Sequence, residues 1–211
     1  MGTIINEGTK KLMKNHGVRS VCVYCGSNDG ARPVYVEAAK TFGRILAENG
    51  VGLVYGGASV GLMGHIARTV LEAGGHVTGI VPENLPAKEV PFSAAQELIE
   101  VKTFHERKML MFERSDAFVA LPGGVGTLEE LVEQITWVQL AHHDKPVVIA
   151  DIDGYWQPLI QLFDQMRKLG FINASLDINY FTTDRAEDIL PIINSAHGRR
   201  GSDDTPIEAF A

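Results

Sequence analysis

The chain has 211 residues, 45% of them apolar and 21% charged, with a formal net charge of -7. That length suits one domain with a sizeable core, and the composition is ordinary for a globular protein. The acidic balance argues against a protein that coats nucleic acid or an anionic membrane, though it leaves room for a local basic pocket.

Residues 1–17 (MGTIINEGTKKLMKNHG) read as a loose N-terminal extension. They contain no apolar h-region, and no run in the chain reaches the roughly 18 apolar residues of a membrane span. A cytoplasmic protein is expected. The first strand, Ser20–Tyr24, carries Cys22 and runs into Cys25-Gly26-Ser27. Residues three apart on a strand face opposite ways, so this CxxC predicts two buried free thiols and not a redox or zinc pair.

A helical stretch near 33–49 leads to a second strand, Gly52–Tyr55, and a loop rich in small residues, Gly56-Gly57-Ala-Ser-Val-Gly61-Leu-Met63-Gly64. Glycines permit positive φ and close backbone approach, and the following helix, near 62–73, offers free N–H groups to an anion. The loop is neither a Walker A sequence nor a strict GxGxxG. A plain strand-to-helix turn fits it equally well. A third strand, His76–Val81, precedes two acids, Glu83 and Glu89, and a fourth covers Glu97–Val101.

The next helix, near 104–115, opens with Phe104-His105-Glu106-Arg107-Lys108. A solvated basic face is the common fate of such residues. Here, however, the helix begins at a strand end, where Arg107 is placed to pair with a carboxylate or phosphate. The fifth strand, Ala117–Leu121, ends in Pro122-Gly123-Gly124-Val-Gly126-Thr127-Leu-Glu129-Glu130. Thr127 begins a helix near 127–141, and Thr127 with Glu130 fits a capping box. That accounts for the glutamates but not for three glycines in four positions. Glu129 and Glu130 point about 100° apart on a helix, so one of them faces a ligand held by the turn.

His142-His143-Asp144 reads as a solvated loop before the strand Pro146–Ala150, and Asp151-Ile-Asp153-Gly154 as a strand-end turn with only a fragment of a calcium-loop pattern. No metal is expected at either. Leu128, Leu131, Val132, Ile135 and Val138 read as core, with Trp137 and Leu140 left over for a subunit interface. A last helical stretch lies near 156–169, and 197–211 reads as a loose tail. Short apolar strands alternating with helices predict an α/β fold: a Rossmann-like, doubly wound parallel sheet flanked by helices, in a single domain over 18–196. Ligands bind such sheets at the strands' carboxyl ends, where the three glycine-bearing loops converge.

These stretches, Cys25–Ser27, Gly56–Gly64, His105–Lys108 and Pro122–Glu130, together resemble the LOG (Lonely guy) family. Its members are cytokinin riboside 5′-monophosphate phosphoribohydrolases, often mislabelled lysine decarboxylases. The resemblance runs in order from about 19 to 190, through ITWVQL and HDKPV. It implies a homodimer that cleaves the N-glycosidic bond of an adenine-type nucleoside 5′-monophosphate such as AMP, with no cofactor. It also implies that Arg107 and Glu130 are the catalytic pair. Expected substrate contacts are Ser27, Gly56, Gly57, Gly61, Met63, Gly64, Lys108, Gly123, Gly124, Gly126 and Thr127. A further acid is Glu83 or Glu89. Arg107 is expected to keep Glu130 ionised near neutral pH. The rival readings are a non-catalytic nucleotide or molybdenum-cofactor carrier of the same fold and, less well, a lysine decarboxylase. For the latter, Lys102, Lys108 and Lys145 lack a Schiff-base setting.

Overall fold

The computed structural model describes residues 17–83, 91–172 and 178–200, with Arg199 and Arg200 described by their backbone only. Strands β1 (Ser20–Tyr24), β2 (Gly52–Tyr55), β3 (Val77–Pro82), β4 (Glu97–Val101), β5 (Ala117–Ala120), β6 (Val147–Ala150) and β7 (Phe181–Thr183) form one sheet. Their order is β4-β3-β2-β1-β5-β6-β7, and every neighbouring pair is parallel. The helices are α1 (Pro33–Glu48), α2 (Gly61–Glu72), α3 (Phe104–Glu113), α4 (Val125–Gln139), α5 (Gln157–Lys168) and α6 (Ala186–Arg200). The strand order reverses between β1 and β5, which opens a crevice at their carboxyl ends.

Two apolar layers hold the sheet. Helices α1, α2 and α6 cover one face through Phe42, Leu46, Ile66, Val70, Ile189 and Ile193, all fully buried. Helices α3, α4 and α5 cover the other through Met111, Leu131, Ile135 and Phe163. Each such side chain contributes about 1.5–3 kcal/mol on burial. The central strands β1, β5 and β6 are apolar on both faces because both faces are covered, so they read as runs and not as alternation. Cys22 lies in the second layer and Cys25 in the first, as strand geometry demands. Both are free, and burial pushes both thiols well above their ordinary pKa.

Two elements go beyond the sequence reading. Strand β7 is only three residues long, too short for a periodic signal. Helix α6 contains Pro191, a residue that ordinarily breaks helices, and its backbone runs past 196 to Arg200. The rest of the two expected loose ends lies outside the described residues, apart from Gly17.

Candidate active site

Three loops meet at the β1/β5 crevice, and the main chain itself ties them together. The Gly26 N–H donates to the Pro122 carbonyl (3.0 Å), and the Met63 N–H to the Gly26 carbonyl (3.3 Å). Several glycines are required by the protein alone. Gly57 (φ +78°) faces Val81, and Gly61 (φ +59°) packs on the backbone of Ser27 and Asn28. A Cβ at Gly64 would strike the Ser59 carbonyl, one at Gly123 would strike Thr127, and one at Gly56 would strike the Arg107 guanidinium. Gly124 and Gly126 differ. A Cβ on either would meet no protein atom within 4 Å. They leave the mouth of the turn open.

Helix α4 starts earlier than the sequence suggests. Its N-cap is Gly124, in an extended conformation (φ -88°, ψ -160°), and no side chain caps it. The Thr127–Glu130 capping box therefore does not form. Thr127 is instead the third helical residue, buried against Gly123. The same sequence signature is satisfied one helix earlier, where Thr103 and Glu106 make a reciprocal capping box at the start of α3. Helix α2 also starts at the crevice without a side-chain cap. Two helix N-termini thus stand there without a side-chain cap, the usual setting for an anion, although the Met63 N–H of α2 is already taken by the Gly26 carbonyl.

Arg107 reaches into the crevice from α3. Its Nε donates to the Ile80 carbonyl (3.0 Å), one terminal nitrogen to the Glu130 carboxylate (3.2 Å) and the other to the Gly56 carbonyl (3.4 Å). Both partners are mostly buried, with side chains 14% and 12% exposed. The helical rotation separates the two glutamates as expected: Glu130 turns inward, and Glu129 lies outside, bonded to Lys108. Lys108 bridges Glu129 (2.6 Å) and Glu133 (2.8 Å), so its ammonium faces α4.

The expectation for the charge of Glu130 needs correction. Burial pushes its carboxyl up to about 7, from an ordinary 4.5, and outweighs the opposing charge of Arg107. Nearby Glu129 and Glu133 add to the rise, and Lys108 opposes it. Arg107 also divides its donors among three acceptors, only one of them Glu130. Glu130 is a carboxyl that changes protonation near neutrality.

Other expected residues fall into place around this pair. Ser27 is half-buried on the loop that Gly61 packs against, and Met63 is buried in the first turn of α2. Glu83 stands exposed just beyond β3, in a shallow groove of about 490 Å³ with Glu100, Lys102 and Glu106. Arg107 and Glu130 do not line that groove. Glu89 lies outside the described residues. His143 packs against the rings of Phe112, Phe118 and Trp137, so the His-His-Asp loop is partly aromatic core. Beside it the Lys145 ammonium donates to the Phe112 carbonyl (2.8 Å) and sits over that ring. Tyr155, which sequence reasoning passed over, donates its hydroxyl to the Gly123 carbonyl. An aromatic residue after an Asp-Gly turn carries no signal for such a contact.

Fold and site together define a Rossmann-like protein with an anion-ready crevice and a buried arginine–glutamate pair inside it. Comparison with known proteins narrows this. A family model described as "Possible lysine decarboxylase" matches residues 63–193. The rice (Oryza sativa subsp. japonica) protein named probable cytokinin riboside 5′-monophosphate phosphoribohydrolase LOGL1 is 52% identical over 154 residues, 73% of this chain and 69% of its own. The Arabidopsis thaliana cytokinin riboside 5′-monophosphate phosphoribohydrolase LOG5 is 45% identical over 172 residues, 82% of this chain and 75% of its own. The chain belongs to this LOG family. Among solved structures, the molybdenum cofactor carrier protein of Chlamydomonas reinhardtii superimposes with a TM-score of 0.65 at 20% identity, covering 84% of this chain and 97% of its own. The molybdenum cofactor binding protein of Rippkaea orientalis gives 0.64 at 22%, covering 84% and 96%. At that identity the likeness is one of fold.

Proposed function

We propose that this protein hydrolyses the N-glycosidic bond of a nucleoside 5′-monophosphate, releasing the free base and ribose 5-phosphate. Cytokinin riboside 5′-monophosphates are the substrate class, with AMP as a plain-adenine member. The observation that carries the reading is the Arg107–Glu130 pair, buried in the crevice beside an open glycine turn and two uncapped helices.

The 5′-phosphate is held by N–H groups at the starts of α2 and α4, with Ser27, Gly56, Gly57, Gly61, Met63, Gly64 and the Gly123–Thr127 turn forming the cradle. Lys108 restrains the acidic pair Glu129 and Glu133 beside it. Glu130 then meets the ribose. As the C1′–N bond breaks, its electron pair leaves with the base and positive charge grows on the ring. The Glu130 carboxylate stabilises that charge and takes a proton from the water that adds its oxygen to C1′. The departing base takes a proton from solvent and Glu130 returns its own to solvent, so that one water is consumed overall. A carboxyl near 7 is matched to such proton traffic at neutral pH. Arg107 fixes its position from α3.

A carrier of the same fold has no need of a buried carboxyl poised in this way, so the pair favours hydrolysis over binding alone. The lysines give no support to decarboxylation, since Lys108 is bound by two carboxylates and Lys145 by a main-chain carbonyl. We further read the chain as a cytoplasmic homodimer without nucleic-acid or membrane partners. Its α4 presents Val125 (83% exposed) and Val132 along a groove that Trp137 also lines, and Leu140 is exposed just past the helix, a surface suited to a second copy. Among the described residues no helix is long and apolar enough to cross a membrane.

The test is a product assay with AMP and, separately, isopentenyladenosine monophosphate, without added metal. Free base and ribose 5-phosphate from the wild type, lost in Glu130→Gln, are expected. Tight binding of both nucleotides by both proteins with no base released would replace hydrolysis by a carrier role.

A further inference from the structure

The β6–α5 loop is built more elaborately than a simple turn requires. Asp151, buried at the end of β6, accepts the Trp156 N–H (2.6 Å) and the Gln157 side-chain amide, while its own N–H donates to Thr183 of β7 (2.7 Å). Between these anchors Asp153 (φ 57°) and Gly154 (φ 72°) are both left-handed. Asp tolerates that conformation better than most residues, and Gly adopts it freely. Asp153 also pairs with Arg32, at the start of α1 on the far lip of the crevice. The outcome is a fixed Tyr155. Its ring packs edge-on against Tyr35 (5.6 Å) and Trp156 (5.0 Å), and its hydroxyl donates to the Gly123 carbonyl.

That bond has a geometric consequence. In a trans peptide the C=O and the following N–H point in opposite directions within one plane, and every peptide bond described here is trans. Tyr155 reaches the Gly123 carbonyl from the loop that follows β6, with its ring against Tyr35 of α1. The Gly124 N–H therefore points away from the Tyr155 hydroxyl, and Gly124 itself is exposed at the open mouth of the turn. Gly124 is also the N-cap of α4, and no side chain fills that position. Without the hydroxyl, the Gly123 carbonyl loses this partner, and two glycines place little steric restraint on the peptide between them.

We infer that Tyr155 is a positioning residue for phosphate recognition: it sets the plane of the Gly123–Gly124 peptide so that the Gly124 N–H meets the 5′-phosphate. The inference rests on the nucleotide reading of this site. Asp151, Asp153 and Gly154 serve it by fixing the loop that carries the ring.

The test is Tyr155→Phe, which deletes the hydroxyl and keeps the ring in its packing. Calorimetric titration with ribose 5-phosphate and steady-state kinetics on AMP are run on the full-length variant, with a thermal melt as control. One lost hydrogen bond predicts a Kd for ribose 5-phosphate and a KM for AMP raised about five- to tenfold. The fall in kcat should be smaller than the rise in KM, and the melting temperature should move by less than about 2 °C for so exposed a site. Equal ribose 5-phosphate affinity in the two proteins, with wild-type hydrolysis intact, overturns the role of Tyr155 alone. Failure of the wild type to bind ribose 5-phosphate or AMP overturns the nucleotide reading and this inference with it.

Discussion

Glu130→Gln should lower base release steeply and should gain stability relative to the wild type as pH rises. The carboxyl titrates at about 7 in the folded protein against an ordinary 4.5. Below 4.5 it is protonated in both states and has no effect. Between 4.5 and 7 the folded state holds the proton more tightly than the unfolded chain, so stability falls as pH rises through this window. Integrated from pH 5 to pH 8, that loss is roughly 2–3 kcal/mol for the wild type. Gln keeps the shape and an acceptor for Arg107 but does not titrate. The difference in stability between variant and wild type should therefore shift in favour of the variant by that amount between the two pH values. For a protein of this size that is a relative gain of roughly 5–10 °C in melting temperature. Any constant cost of leaving Arg107 without its counter-charge cancels in the comparison. Base release should meanwhile drop by about 10²-fold or more. Thermal melts of both proteins at pH 5 and pH 8 decide the matter. The same melting difference at both would refute the claim that burial outweighs Arg107 at this carboxyl.

Arg107→Lys should cost at least about 10²-fold in kcat/KM, because a single ammonium cannot reproduce the planar fork that reaches Ile80, Gly56 and Glu130 together. Retained activity would show that a point charge is sufficient. Gly126→Ala separates stability from binding. It lies inside α4 with open space where the methyl group goes, so stability should hold or rise by up to about 1 kcal/mol in a urea titration. The same methyl group should raise the KM for AMP by about tenfold or more, and an unchanged KM would remove the ligand from the mouth of that turn.

Much of this architecture was legible in the residues. Apolar runs such as Ala117–Leu121 can be continuous only where both faces of a strand are covered, which implies a parallel sheet between helices. Glycines clustered at three strand ends mark one edge of that sheet as the place where backbone must approach something closely. The 100° step of a helix already required Glu129 and Glu130 to part. Strand β7 and helix α6 escaped notice because three residues carry no period and Pro191 reads as a break. Thr-x-x-Glu encodes only a local possibility: Thr103 realises it at the start of α3, and Thr127, already inside α4, does not.

Sequence alone determined what depends on local spacing: the alternation of elements, the edge that carries the loops, and the residue types available there. Tertiary structure decided what depends on distance and burial. It brought Arg107 of α3 to Glu130 of α4, carried Tyr155 from the next loop to the Gly123 carbonyl, and withdrew enough water from Glu130 to overcome its positive neighbour. A carboxyl's pKa follows from the groups that surround it in space, and those come from segments that the chain order keeps far apart.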